Sequence, residues 1–276
     1  MLFRVIAALV CNLILALGAL KKRAVSKDGA LAGFGVGCIS FVAGGPLFWI
    51  ILGSFFVSSS LLSPIGRRRK QALKKLHAKG SRRDALQVAA NAGVGTAAAL
   101  LYLWRPEPAL LAAFAGSFAA ANADTWASEL GVLSRREARS IIGWRPVPRG
   151  TSGGVSLLGL AASAAGGGFI ALITLLGVLL LPGTHEFSLF TLLIIGAVIS
   201  AVGLLGSLID SLLGATVQAL YLDPEGERTE RSYGEKGAHI LVKGLRWINN
   251  DGVNFLSILV AGILAFLAVA ILVPSG

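Results

Sequence analysis

Two aspartate-centred strings inside apolar runs, ANADTWASELG (121–131) and GSLIDSLLGATVQ (206–218), hold the residues of this chain best suited to chemistry. Asp124 and Asp210, with Asp251 of NNDGVN (249–254), are hard oxygen ligands that suit Mg2+. That ion commonly takes one or two carboxylates and fills its other positions with water and substrate phosphate oxygens. A third string, PRGTSGGVSLLG (148–159), offers the complementary function. Its glycines let successive N–H groups point at one anion, and the helix start that follows adds free donors and a favourable dipole. Arg149 contributes a charge that cannot be lost, and Thr151, Ser152 or Ser156 is available as the helix cap. The string is not a Walker loop, because no G-x-x-x-x-G-K-[ST] occurs. Phosphates held by Arg149, Gly150, Thr151, Ser152, Gly153 and Gly154, beside metal-binding carboxylates, describe a site for phosphoryl transfer, where positioning and charge neutralisation do most of the work.

These residues need elements to position them, and the composition says which. Of 276 residues, 55% are hydrophobic and 14% charged, with a mean hydropathy of +0.75. Several apolar runs approach the length of about 20 residues that crosses a bilayer. The expected fold is all-α: a polytopic transmembrane helix bundle forming a single integral membrane domain over 1–276. About eight spans are expected, near 2–20, 29–44, 46–62, 85–103, 109–130, 155–181, 189–221 and 253–273. AGGP at 43–46 breaks the second from the third, which reads as two short segments joined by a tight turn or a re-entrant hairpin. The first run lacks a cleavage site leading to a polar domain, so it reads as a span rather than a signal peptide.

Eight spans put the connections 21–28, 63–84, 131–154 and 222–252 on one face, and these hold 23 of the 25 Lys and Arg residues. The positive-inside rule makes that face cytoplasmic and puts both termini outside. A prokaryotic plasma membrane is the expected location. The net charge of +11 fits anchoring at anionic headgroups; without interleaved aromatic platforms the basic segments do not suggest nucleic acid. SPIGRRRKQALKKLHAKGSRRD (63–84) reads as a topology determinant or an amphipathic surface helix, with Arg67 to Arg69 and His77 solvated. Cys11 and Cys38 sit in apolar stretches as filler.

With this orientation, Asp124 lies about 22 Å along the fifth span, near its cytoplasmic end. Asp210, Asn91 and the 249–254 string fall at the same depth. Each ionisable residue in a span costs about 2.5–3.5 kcal/mol on insertion scales, so partners, water or an ion are required. Asn91 and Asn122 could instead join helices, and Asp124 and Asp210 could pair with arginines. In an unbroken helix Asn122, Thr125 and Glu129 share a stripe that Asp124 does not, so either the helix unwinds or its faces serve different spans. Trp126, Trp144 and Trp247 read as interfacial anchors. The mixed-charge loop YLDPEGERTERSYGEKG (221–237) reads as solvating, mobile and without chemistry of its own.

ANADTWASELG, GTSGGVSLLG, GSLIDSLLGATVQ and NNDGVNFLS, together with QVAANAGVG (87–95), resemble in order the motifs of an integral membrane family that includes plant phytyl-phosphate kinase. The resemblance implies phosphoryl transfer from a nucleoside triphosphate, CTP or else ATP, to an isoprenyl monophosphate carried in the membrane. It implies a site made of Asn91, Asn122, Asp124, Thr125, Glu129, Thr151, Ser152, Gly153, Gly154, Asp210, Ser211, Gln218, Asn250, Asp251 and Asn254. ANAG at 90–93 departs from the family's ANGG, and no role is assigned to Ala92. Two other classes compete: a transporter, which predicts polar residues near the midplane and access from both faces, and a lipid-phosphate cytidylyltransferase, which would release pyrophosphate.

Overall fold

A computed structural model describes residues 2–66, 82–182, 187–234 and 237–273. Within them lie seven helices: α1 (Leu2–Lys21), α2 (Lys27–Leu62), α3 (Ala85–Trp104), α4 (Pro108–Gly131), α5 (Leu157–Leu180), α6 (Leu189–Thr216) and α7 (Asn250–Leu272). All but α4 have the length and apolar composition to cross a membrane. The expected integral membrane helix bundle is therefore the fold, while the basic stretch 67–81, with its arginines and His77, lies outside the described residues.

α2 is a helix turned back on itself. Pro46 lacks an N–H and its ring crowds the preceding turn, and Gly45 adopts φ 64°, ψ −153°, off the helical path. Ser26 and Ser60 would stand about 50 Å apart along an unbroken helix at ~1.5 Å per residue. Yet the Ser26 N–H donates to the Arg83 carbonyl (3.0 Å), and Arg83 Nη1 donates to Ser60 Oγ (3.0 Å). The chain thus reverses at Gly45, and its arms 27–44 and 46–62 match the expected pair of short segments. Arg4 covers the turn, its guanidinium donating to the Phe41 and Ala43 carbonyls.

α4 is the axis of the bundle, packed against α2, α3, α5, α6 and α7. Every residue from Ala109 to Ala123 is buried, as expected for a helix apolar all round. Its alanines admit close neighbours, while Phe114 stacks on Phe48 of α2 at 4.0 Å and meets Phe118 edge-on at 4.9 Å. Where α5 crosses α6, a Cβ on Gly203 would stand 2.7 Å from the Gly167 Cα, so small residues set the helix separation.

The connections are not plain loops. Between α4 and α5 run β1 (Ala138–Ser140), β2 (Pro146–Val147) and β3 (Gly154–Val155), an antiparallel sheet ordered β2-β1-β3. Between α6 and α7, β4 (Leu220–Leu222), β5 (Arg228–Thr229) and β8 (Ile240–Lys243) pair as β5-β4-β8, beside the hairpin of β6 (Tyr233–Gly234) and β7 (Gly237–Ala238). The expected span to residue 221 is therefore too long: α6 stops at Thr216, where Leu220 turns outward to pair with Lys243. Contacts of Ser26 with Arg83 and of Ser152 with Glu230 gather the basic connections at one end, as alternation of the spans requires.

Candidate functional site

At that end the connections and helix termini enclose a cleft of about 520 Å³. α4 contributes Asp124, Thr125 and Glu129, while α6 contributes Asp210 and Ser211. The first turns of α7 bring Asn250, Asp251 and Asn254, α3 brings Asn91, and Gln218 follows the end of α6. Arg149 and Gly150 to Gly154 form the opposite wall.

Asp124 and Asp210 project from facing helices, and Asp210 lies within electrostatic reach of both Asp124 and Glu230. Ser257 Oγ donates to Asp210 Oδ2 at 3.2 Å, and the Ser207 hydroxyl serves Asp124. Neither carboxylate pairs with an arginine among the described residues, so the ion-pair explanation finds no support there. No group of three or more His, Cys, Asp or Glu side chains forms a metal cluster among those residues. Asp251, expected as a third metal ligand, lines the cleft from the start of α7 without joining Asp124 and Asp210 in such a group. The pair nonetheless fits Mg2+, which needs only one or two carboxylates when phosphates complete its shell.

The glycine string folds as a tight loop pressed on the last turn of α6. Gly150 (φ 79°) and Gly153 (φ 84°) occupy the left-handed region, and the Gly154 N–H closes a turn onto the Thr151 carbonyl at 2.9 Å. A Cβ on Gly153 would stand 2.6 Å from the Ala215 Cα, so only glycine fits there. The Ser152 and Gly153 N–H groups meet no acceptor among the described residues, and both residues line the cleft. Ser156 is the cap of α5, accepting from the Gly159 N–H at 3.1 Å. Arg149 leans on the Arg135 carbonyl (2.7 Å) at the cleft edge.

The chain as a whole has counterparts among known proteins. Residues 10–262 match the family described as Integral membrane protein DUF92. The chain belongs to that family. Among relatives of this DUF92 chain, Protein PGR of Arabidopsis thaliana is 34% identical, with 96% of each chain covered. An uncharacterized membrane protein of Methanocaldococcus jannaschii is 29% identical over 96% of this chain and 94% of its own. Protein VTE6, chloroplastic, of Arabidopsis thaliana is 25% identical over 88% of this chain and 65% of its own. No solved structure matches. The family resemblance read from the motifs thus holds. These relatives support an integral membrane protein; as they come from a plant, one of them chloroplastic, and from an archaeon, they do not support the expected prokaryotic plasma membrane in particular.

Of the residues expected in the site of this DUF92 protein, all line the cleft except Asn122. Asn122 is fully buried, with Nδ2 donating to the Gly166 carbonyl (2.8 Å) and Oδ1 accepting from Ser58 (2.9 Å) and Ser59 (3.4 Å). It ties α4 to α2 and α5, because α4 stays helical and its faces serve different neighbours. Trp126 is likewise no interfacial anchor: its indole N–H donates to Ser58 (3.3 Å) and its ring stacks on Phe169 at 5.5 Å.

Several site residues escape sequence reasoning. Glu230, in the loop read as merely solvating, accepts at Oε1 from Ser152 Oγ (3.0 Å) and Gln218 Nε2 (2.9 Å), pinning the glycine loop. Lys243 Nζ caps α6 by donating to the Gly214 carbonyl at 2.7 Å. Ser163 lines the cleft with a buried hydroxyl that meets no partner among the described residues. Arg83 and Gln87 enter from the start of α3. Only Gln87 carried a signal in advance, standing at the head of QVAANAGVG.

Proposed function

We propose that this chain is a membrane-embedded isoprenyl-phosphate kinase, transferring a phosphoryl group from CTP or ATP to an isoprenyl monophosphate and giving the diphosphate. Phytyl, geranylgeranyl and polyprenyl monophosphates are the acceptor class. The observation that carries this reading is the meeting, in one cleft, of a glycine loop with free N–H donors and two carboxylates from facing helices.

The cleft's charge supports a metal-nucleotide complex. Five carboxylates (Asp124, Glu129, Asp210, Glu230, Asp251) oppose two guanidiniums (Arg83, Arg149) among the lining residues. Naked phosphates would be repelled there, whereas Asp124 and Asp210 can hold Mg2+ together with the nucleotide's oxygens. Bound there, Mg2+ would neutralise charge on the transferred group. Arg149 and the Ser152 and Gly153 N–H groups hold the donor phosphates in place. An acceptor phosphate oxygen, already anionic at neutral pH, bonds to the γ-phosphorus as the γ-phosphorus–oxygen bond to the β-phosphate breaks, and the nucleoside diphosphate leaves with that electron pair. No general base is needed, so Asn91, Thr125, Glu129, Ser211, Gln218, Asn250, Asp251 and Asn254 orient substrates and ordered water. The basic connections make this the cytoplasmic or equivalent face, with membrane lipid around the helices.

The test is product analysis after purified protein meets Mg2+, labelled CTP or ATP, and a panel of isoprenyl monophosphates. The expected products are an isoprenyl diphosphate and a nucleoside diphosphate, with Asp124→Asn or Asp210→Asn reducing transfer by about 100-fold or more in folded protein. Pyrophosphate release would mean cytidylyl transfer, and counterflow of an anionic lipid without transfer would mean a transporter.

A further inference from the structure

A second cavity of about 110 Å³ lies between α1, both arms of α2 and the start of α3. Its lining is mostly apolar, with Asn12, Arg83, Gln87 and Asn91 the polar exceptions, and runs from Phe56 near the cleft to Trp49, seven residues away and about 10 Å deeper at ~1.5 Å per residue. Phe55, Arg83, Gln87 and Asn91 line both this slot and the polar cleft, so the two adjoin at these side chains.

Arg83 stands at the junction. Its guanidinium lies over the Phe55 and Phe56 rings at 5.9 and 5.5 Å, and Nη1 donates to Ser60. Its Nε and Nη2 groups meet no acceptor among the described residues. Burial lowers its pKa and the Glu129 carboxylate opposes that shift, but an arginine stays charged in proteins. A part-buried cation with unspent donors, between a polar cleft and a greasy slot, matches an amphiphile with an anionic head.

Open space marks the slot from both sides. A Cβ at Gly33, on the first arm of α2, or at Gly53, on the second, would meet no atom within 4 Å. A methyl at either position would enter the slot without striking the protein, and a longer side chain would take up more of it.

We propose that this slot takes the phosphate-proximal isoprene unit of the acceptor's tail, the rest of which lies in the surrounding lipid, and that Arg83 binds the acceptor's monophosphate at its mouth. The assignment rests on the isoprenyl-phosphate kinase reading and adds the route by which the lipid reaches the cleft. Gly33 and Gly53 set the space available to the tail, and Arg83 presents the phosphate toward the Asp124–Asp210 pair.

The experiment photolabels the full chain in detergent with a diazirine-bearing farnesyl monophosphate, maps the label by mass spectrometry, and repeats it with Gly53→Leu and Arg83→Gln. Label is expected in the second arm of α2. Gly53→Leu should reduce it more than about ten-fold, because excluding even two methylenes from burial is worth that much. Nucleotide binding by Gly53→Leu, expected unchanged, reports that the variant is folded. Arg83→Gln should erase the preference for farnesyl phosphate over farnesol as competitor. Label elsewhere, labelling untouched by Gly53→Leu, or equal competition by an ordinary phospholipid would each overturn the proposal. Label in the slot without phosphoryl transfer would keep the lipid site and reject the kinase.

Discussion

Gly153→Ala tests the glycine loop at the atom where it meets α6. At φ 84° an L-residue pays about 1–2 kcal/mol relative to the right-handed conformation. The new methyl would lie 2.6 Å from the Ala215 Cα and 2.7 Å from its N. Carbon atoms rest near 3.5–4.0 Å, so loop and helix end must part by about 1 Å. A misplacement of that size costs about 100-fold in a reaction that depends on orientation. The expected result is a fall of that order in kcat/KM, with donor affinity weakened and bundle stability nearly unchanged, since the clash lies at the bundle's rim. Gly143→Ala is the control: it sits in the same connection at φ 72°, has open space around its Cβ, and lies outside the cleft. It should cost local backbone energy and little activity. Labelled-nucleotide binding and product assays on both variants decide the matter. Equal behaviour of the two would refute the argument that the close approach to Ala215 positions the loop.

Asn122→Ala should lower stability by about 1–3 kcal/mol, through loss of the hydrogen bonds that join α4 to Ser58 and Ser59 of α2 and to the Gly166 carbonyl of α5, while folded protein keeps its turnover; detergent unfolding with activity per folded molecule measures both. Glu230→Gln, which puts a neutral amide where Ser152 and Gln218 find a carboxylate, should raise the donor KM by about ten-fold and leave the acceptor KM unchanged in steady-state kinetics. Lys243 is held below the ordinary lysine value of 10.5, chiefly by burial, then by Arg228, with Glu230 opposing. Between that lowered value and 10.5 the unfolded chain binds a proton that the folded chain has shed, so this group makes stability rise with pH in that window. Thermal unfolding of Lys243→Met from neutral to alkaline pH should show a smaller rise.

Local residues go far toward the fold. Apolar runs cannot end in water or lie unpaired in lipid, so they become helices, and Gly45 before Pro46 dictates a break wherever α2 lies. The spacing of basic residues orders the connections onto one end because each charge is costly to carry across. The strands of the connections were not legible: β1, β2, β4 and β8 are two to four residues long, too short for alternation to announce them. Their pairing is between segments distant in sequence, as Leu220 with Lys243.

The site divides in the same way. Residue type and chain order alone pick out Asp124, Asp210, the 150–154 loop and the 249–254 string, because carboxylates in an apolar run and glycines before a helix have few other uses. Residue type cannot say which way a helix turns. Asn122 and Asp124 are two residues apart, and only the packing of α4 between α2, α5 and α6 sends the amide to Ser58 and Gly166 and the carboxylate to the cleft. Glu230 and Arg83 resemble any other charges in basic or mixed-charge connections. They become site residues because the β5-β4-β8 sheet and the Ser26–Arg83 contact carry them to the cleft. The chemistry available was thus written in the chain, whereas the partners each group meets depended on long-range packing, which one-dimensional spacing does not encode.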